Sequence, residues 1–329
     1  MPIASLRQVD KSFGVRRVLA GVSLTIRGGE RVGLVGNNGS GKTTLARILA
    51  GLDPPDAGEV ILRRDATIAC LEQEPRLPPD QSALEVVLGA LGPWSAARAR
   101  YDAATRRLER ASARASGPAD PSEPDPQGTV DLEALVAEQA AAAAEIERYG
   151  GWGRAAEAEA YLARLGVRDL TVPTARMSGG ERRRVALAAL LARRPDLAIL
   201  DEPTNHLDVA AIEWLERHLA EEYTGAVLLI THDRYILDRV CTRTLEIDRG
   251  EVYAYDGGFG AYLEAKAERA AHQQRTEANR QNFLRRELEW LRRQPKARTT
   301  KQRARVQRAE AELAKAPPPP ERRARLSLE

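Results

Sequence analysis

The octapeptide Gly36-Asn37-Asn38-Gly39-Ser40-Gly41-Lys42-Thr43 constrains this chain more than any other feature. It matches the phosphate-binding loop, in which glycines let backbone N–H groups wrap a polyphosphate. The lysine reaches the β- and γ-phosphates, and the threonine hydroxyl faces Mg²⁺. The pattern needs a strand before it and a helix after it. Residues 32–35 supply the apolar strand. The helical pattern begins at Lys42, carries Leu45, Ile48 and Leu49 on one face, and stops at Gly51 with Pro54 and Pro55 beyond.

Further short apolar runs at residues 18–26, 31–35, 58–62 and 67–71 make the opening strand-rich. Similar runs return at 197–200, 226–230, 243–247 and 251–255, separated by helical stretches after Gly179 and Val209, which predicts a largely parallel α/β core. Residues 78–170 read instead as an Ala-, Arg- and Glu-rich helical insert. Pro118, Pro121, Pro124 and Pro126 interrupt it, so residues 116–128 are expected to be a disordered loop. Beyond the loop, Leu132, Leu135, Val136, Ala140, Ala143 and Ile146 keep helical spacing.

With 329 residues, 43% of them hydrophobic, the chain buries at least one full core, which excludes disorder throughout. No apolar run approaches the roughly 18 residues of a membrane span. Residues 1–10 lack a signal-peptide pattern, and Cys70 and Cys241 are the only cysteines, so a cytoplasmic protein with reduced thiols and no membrane insertion is expected.

The net charge of +3 hides an asymmetry. Residues 261–329 hold 18 of the 50 basic and 9 of the 47 acidic residues, so this segment carries +9 and the rest of the chain −6. Residues 285–308 are densest, with 10 basic and 2 acidic residues, a profile shared by phosphate-binding segments and by solvated helices. Leu284, Leu288 and Leu291 form an apolar stripe, Pro295 breaks it, and Val306 and Leu313 offer a matching stripe. The expectation is an antiparallel helical hairpin over residues 261–316, turning at 294–301.

Asp201-Glu202 follows the apolar run 197–200. The first carboxylate is placed to hold Mg²⁺ through water and the second to polarise an attacking water. An acidic pair there also suits a helix N-cap, but the sequel Pro203-Thr204-Asn205-His206-Leu207-Asp208 is too specific for a cap alone. Ser178-Gly179-Gly180-Glu181 fits either a capping box or an anion site at a helix start.

Together these motifs resemble the ATP-binding cassette. That resemblance implies a P-loop ATPase with a mixed-sheet core, an antiparallel β subdomain and a helical subdomain, here over residues 1–260, with ATP and Mg²⁺ as cofactors. It implies that Phe13 stacks on adenine, that residues Gly36 to Thr44 hold the phosphates, and that Thr43, Gln73 and Asp201 serve the metal. Glu202, His232 and Gln73 become the catalytic set, His232 as the switch at the γ-phosphate. Ser178, Gly179, Gly180 and Glu181 become the signature that serves a nucleotide bound by a second cassette. Met177 replaces the family's usual leucine, and Glu181 stands where transporters usually have glutamine.

Within that family the chain resembles the ABC-F branch, in which two cassettes are joined by a long charged helical linker. The resemblance rests on Asn205-His206-Leu207-Asp208, on Thr231-His232-Asp233-Arg234-Tyr235, on Tyr255-Asp256-Gly257-Gly258-Phe259 with Tyr262-Leu263, and on the basic segment. Residues 287–305, with Trp290 and Lys296-Ala297-Arg298, are most similar to the linker of Uup-like members. It implies a partner cassette, from a second copy or a separate half, with residues 317–329 as the Pro-rich start of a missing half. Low activity of the single cassette follows. It further implies action on the ribosome or RNA through Arg292, Arg293, Lys296, Arg298, Lys301, Arg303 and Arg305. A Uup-like role at branched DNA is the alternative, and a transporter or antibiotic-resistance subunit stands third.

Overall fold

The computed structural model describes residues 1–116 and 131–293. They belong to two units, Met1–Ala261 and Tyr262–Glu329. The expected disordered loop, after Ser116, and the expected hairpin turn, return helix and Pro-rich end lie outside the described residues.

The first unit opens with a hairpin of β1 (Pro2–Phe13) and β2 (Arg16–Arg27), followed by β3 (Arg31–Gly36), α1 (Lys42–Leu49) and β4 (Ala57–Leu62). β4 returns to β1, giving a three-stranded antiparallel sheet of order β2-β1-β4. β1 was absent from the runs expected to form strands. Its alternation is broken at Gln8, which sits at φ +48 where the pairing with β2 shifts register between Leu6 and Val9. Such a bulge re-aims side chains and defeats a period-2 reading.

Next come β5 (Ile68–Leu71), the insert helices α2 (Ala83–Gly89), α3 (Pro93–Ser116), α4 (Leu132–Arg148) and α5 (Arg154–Arg164), then α6 (Gly179–Arg193) and β6 (Leu197–Asp201). α7 (Val209–Arg217) ends in a π turn over His218–Glu222. After it come β7 (Ala226–Ile230), α8 (Arg234–Val240), β8 (Arg243–Asp248) and β9 (Glu251–Asp256). These complete a six-stranded sheet of order β5-β6-β7-β3-β8-β9, parallel except for the antiparallel β8–β9 pair. Leu45, Ile48 and Leu49 of α1 are fully buried, as their spacing predicts, in one core with β1, β2, β3, β6 and β7.

Both ends of the insert meet at a neck. Ser82 bridges Pro173, Leu84 N–H donates to Leu170 O, and Thr174 donates to Gln81 O and, through its hydroxyl, to Pro78 O. On α4 the buried face is Leu135, Ala142 and Ile146, whereas Leu132 and Val136 are about half exposed, so only part of the apolar spacing there marks packing.

Arg31, at the start of β3, is buried and has backbone carbonyls for hydrogen-bond partners. It donates to Leu219 at 2.5 Å, Gly225 at 2.7 Å, Gly29 at 2.9 Å and Tyr223. The π turn is thereby tied to the central sheet.

The second unit is described only through α9 (Phe259–Arg293), which starts in the first unit. Arg292 and Arg293 close this helix; Lys296, Arg298, Lys301, Arg303 and Arg305 lie outside the described residues. No helix among the described residues is long and apolar enough to cross a membrane.

Candidate functional site

The phosphate loop joins β3 to α1 at the C-terminal edge of the six-stranded sheet, where parallel α/β sheets hold their ligands. Its backbone demands glycine. Gly36 has φ +151, and a Cβ there would lie 2.6 Å from Ile247 O and 2.7 Å from Ser40 Oγ. Gly41, the N-cap of α1, offers no side-chain cap, and no acidic residue occupies the first turn. The N–H groups of that turn are left for an external anion.

Lys42 Nζ donates to Gly36 O at 2.8 Å and Asn37 O at 3.2 Å. Burial pushes its ammonium down from the ordinary lysine range, and Asp201 and Glu202 hold it up. Ser40 Oγ is buried without a hydrogen-bond partner among the described residues. Phe13 ends β1, more than half exposed, directly opposite Arg16 in the hairpin. Arg16 Nη2 donates to Gly39 O at 2.7 Å, so the hairpin end is pinned to the phosphate loop. Sequence reasoning passed over Arg16 because its partner is a carbonyl of the glycine-rich loop.

The acidic pair stands at the end of β6. Thr43 Oγ1 donates to Asp201 Oδ2 at 2.9 Å, which brings together two of the three expected metal-site residues. Gln73 is exposed two residues beyond β5, the strand paired with β6. Glu202 is held at φ +49, with its N–H on Ile230 O at 2.7 Å. Thr231 donates its hydroxyl to Glu202 Oε2 at 3.0 Å and accepts the Asp233 N–H at 3.1 Å. His232 is largely exposed with Nε2 3.7 Å from Glu202 Oε1. One carboxylate oxygen of Glu202 is therefore fixed by Thr231 and the other faces the histidine.

The signature residues stand apart from this group. Ser178 caps α6 in a full capping box: Glu181 N–H donates to Ser178 Oγ at 3.2 Å, and Ser178 N–H to Glu181 Oε2 at 2.8 Å. The Ser178 hydroxyl also donates to Glu181, and these bonds hold the carboxyl below its ordinary range. No hydrogen bond or ion pair among the described residues links residues 178–181 to the phosphate loop, and Gly180 packs on His206.

The residues fit a magnesium-bound nucleotide. An uncapped helix start, an orphaned hydroxyl at Ser40 and the Lys42 ammonium suit a polyphosphate. Thr43 and Asp201 present hard oxygen donors for a cation that keeps most of its waters. Mg²⁺ held by Thr43 and Asp201 would offset charge on the phosphate oxygens. No cluster of three or more His, Cys, Asp or Glu among the described residues suggests another metal site.

Two family models described as ABC transporter match the chain, over residues 19–205 and 245–328. YfmR of Bacillus subtilis, described as an uncharacterized ABC transporter ATP-binding protein, is 40% identical over 94% of this chain and 46% of its own length. The energy-dependent translational throttle protein EttA of Mycobacterium tuberculosis H37Rv is 39% identical over 95% of this chain and 53% of its own length. EttA of Escherichia coli K12 is also 39% identical, over 90% and 50%. The chain thus spans about half the length of these curated relatives.

Solved structures share the fold. An ATP-binding subunit of an ABC transporter superposes with a TM-score of 0.52 at 20% identity, over 77% of this chain and 90% of its own. The ATP-binding cassette MJ0796, a dimer bound to ADP and Pi, gives 0.50 at 24% identity, over 77% and 98%. With the fold shared and a family model running from β2 through the phosphate loop to the acidic pair, the chain belongs to the ABC transporter family.

Proposed function

We propose that this chain is one cassette and the following basic linker of an ABC-F type ATPase, which binds Mg-ATP between paired cassettes in the cytoplasm and uses their closure to act on the ribosome. The observation that carries this reading is the 39% identity to EttA, a protein named as a translational throttle, over 95% of the chain and so through the basic segment. Glu202 Oε1 takes the proton of the attacking water while Thr231 holds the other oxygen, and His232 stands at the γ-phosphate side. Lys42 and the residues around it seat the phosphates, Thr43, Asp201 and Gln73 the metal, and Phe13 the adenine. Ser178 to Glu181 serve the nucleotide of the partner cassette. Arg292, Arg293, Lys296, Arg298, Lys301, Arg303 and Arg305 meet RNA phosphates, so binding weakens steeply with salt.

The test is sedimentation of the Glu202→Gln chain with 70S ribosomes, with ATP, with ADP and without nucleotide. Pelleting that requires ATP and fades with rising salt is expected. Pelleting indifferent to nucleotide, or none at all, removes the ribosomal reading; retention of branched DNA instead transfers it to DNA.

A further inference from the structure

The loop after β6 contains two non-glycine residues in the left-handed region, Glu202 at φ +49 and His206 at φ +68. Such conformations persist only where the surroundings over-determine them. Here the carbonyls of both residues are taken by consecutive arginines of α6. Arg183 Nη2 donates to Glu202 O at 2.8 Å and to Asp201 O at 2.5 Å, and its Nη1 to Gln73 O at 3.3 Å. Arg184 Nη1 donates to His206 O at 3.0 Å. Arg183 is buried, and its hydrogen bonds go to carbonyls. Gly180 completes the grip, because a Cβ there would lie 3.2 Å from that of His206.

We infer that Arg183 and Arg184 are positioning residues for hydrolysis: they hold the loop in the strained form that aims the Glu202 carboxylate, and they fasten it to the helix that begins with the signature. This rests on the reading of Glu202 as the group that polarises water. Its content is a mechanical link within one cassette. Ser178 caps the helix that carries Arg183 five residues later, so a shift of the α6 start moves the backbone of Gln73, Asp201 and Glu202 together. A phosphate engaged by Ser178 and Gly180 in one composite site thereby adjusts the water-polarising carboxylate of the other. A free signature leaves that carboxylate less exactly aimed.

The experiment uses the full chain with Arg183→Met, Arg183→Lys, Arg184→Met, Glu202→Gln and the Arg183→Met/Glu202→Gln double variant. ATP affinity, single-turnover hydrolysis with protein in excess over labelled ATP, and thermal unfolding are measured for each. Arg183→Met should keep ATP affinity within about threefold while hydrolysis falls on the order of 10- to 100-fold, the effect of a misplaced catalytic group. Arg183→Lys should restore part of the rate, Arg184→Met should lose roughly tenfold, and Arg183→Met should add little to Glu202→Gln, because the arginine acts through that one group. Wild-type hydrolysis in Arg183→Met, or in Arg184→Met should the former not fold, overturns the inference. So does a loss explained wholly by weaker ATP binding, or one that multiplies with Glu202→Gln. If Glu202→Gln alone hydrolyses normally, the reading of Glu202 fails and the inference fails with it; normal loss there with none at the arginines sinks the inference alone.

Discussion

Replacing Arg31 by methionine tests how much the carbonyl cage beneath the π turn contributes. The substitution keeps most of the side-chain stem and removes all five donors. Of the four carbonyls that lose a partner, those of Leu219 and Tyr223 take their bonds in buried surroundings, while those of Gly29 and Gly225 are part-buried and recover water. A buried acceptor left without a donor costs about 1–3 kcal/mol, so the two deep ones together cost about 2–6 kcal/mol. Methionine returns some of this by sparing the desolvation of a charge, which leaves an expected net loss of about 3 kcal/mol. At about 2–4 °C per kcal/mol for a domain of this size, the melting temperature should fall by about 6–12 °C. Circular dichroism melts of wild type, Arg31→Met and Arg31→Lys provide the assay, with lysine intermediate because it reaches fewer carbonyls. A methionine variant melting within about 2 °C of wild type would refute the argument, since water would then serve the cage as well as the guanidinium does.

Two further outcomes are expected. Gly36→Ala places a methyl 2.6 Å from Ile247 O at φ +151, so it should abolish binding of a fluorescent ATP analogue and lower the melting temperature together. Acid should loosen the three-stranded sheet: the Lys11 ammonium and the Ser12 N–H hold Asp56, and the Arg17 guanidinium and the Gly21 N–H hold Asp10, below their ordinary value of 3.8. A lowered folded-state pKa gives stability that is present above 3.8 and is lost as pH falls through the folded value. Hydrogen exchange in β1, β2 and β4 should therefore be flat above about pH 5 once corrected for intrinsic rates, and rise below about pH 4. Exchange in β1, β2 and β4 that stays flat below about pH 4 would contradict this.

The sequence revealed what is written in local pattern. The phosphate loop, the carboxylates at the end of β6 and the histidine after β7 stand where a strand-then-turn reading puts them, because each depends on a few adjacent residues. β1 was illegible because the bulge at Gln8 interrupts its alternation. α8 escaped because seven residues carry barely two turns of periodicity. Arg183 was illegible because its partners are carbonyls, and no side-chain pattern records which carbonyls a fold will leave unpaired. The role of Thr231 beside Glu202 escaped for a related reason: its partner is an oxygen 29 residues earlier in the chain.

The neck of the insert has a consequence for how the sheet assembles. β5 must find β6 across about 125 residues, an entropically open search. If residues 78–84 zip to 170–175 first, the loop still to be closed shrinks to about a quarter of that, and at about 0.6 kcal/mol per halving the closure becomes roughly 1.2 kcal/mol easier. The helices between then behave as cargo on a closed clasp: their length can drift without altering the race to complete the sheet, and the clasp itself, Thr174 with Pro78 and Gln81, is where a folding defect would register.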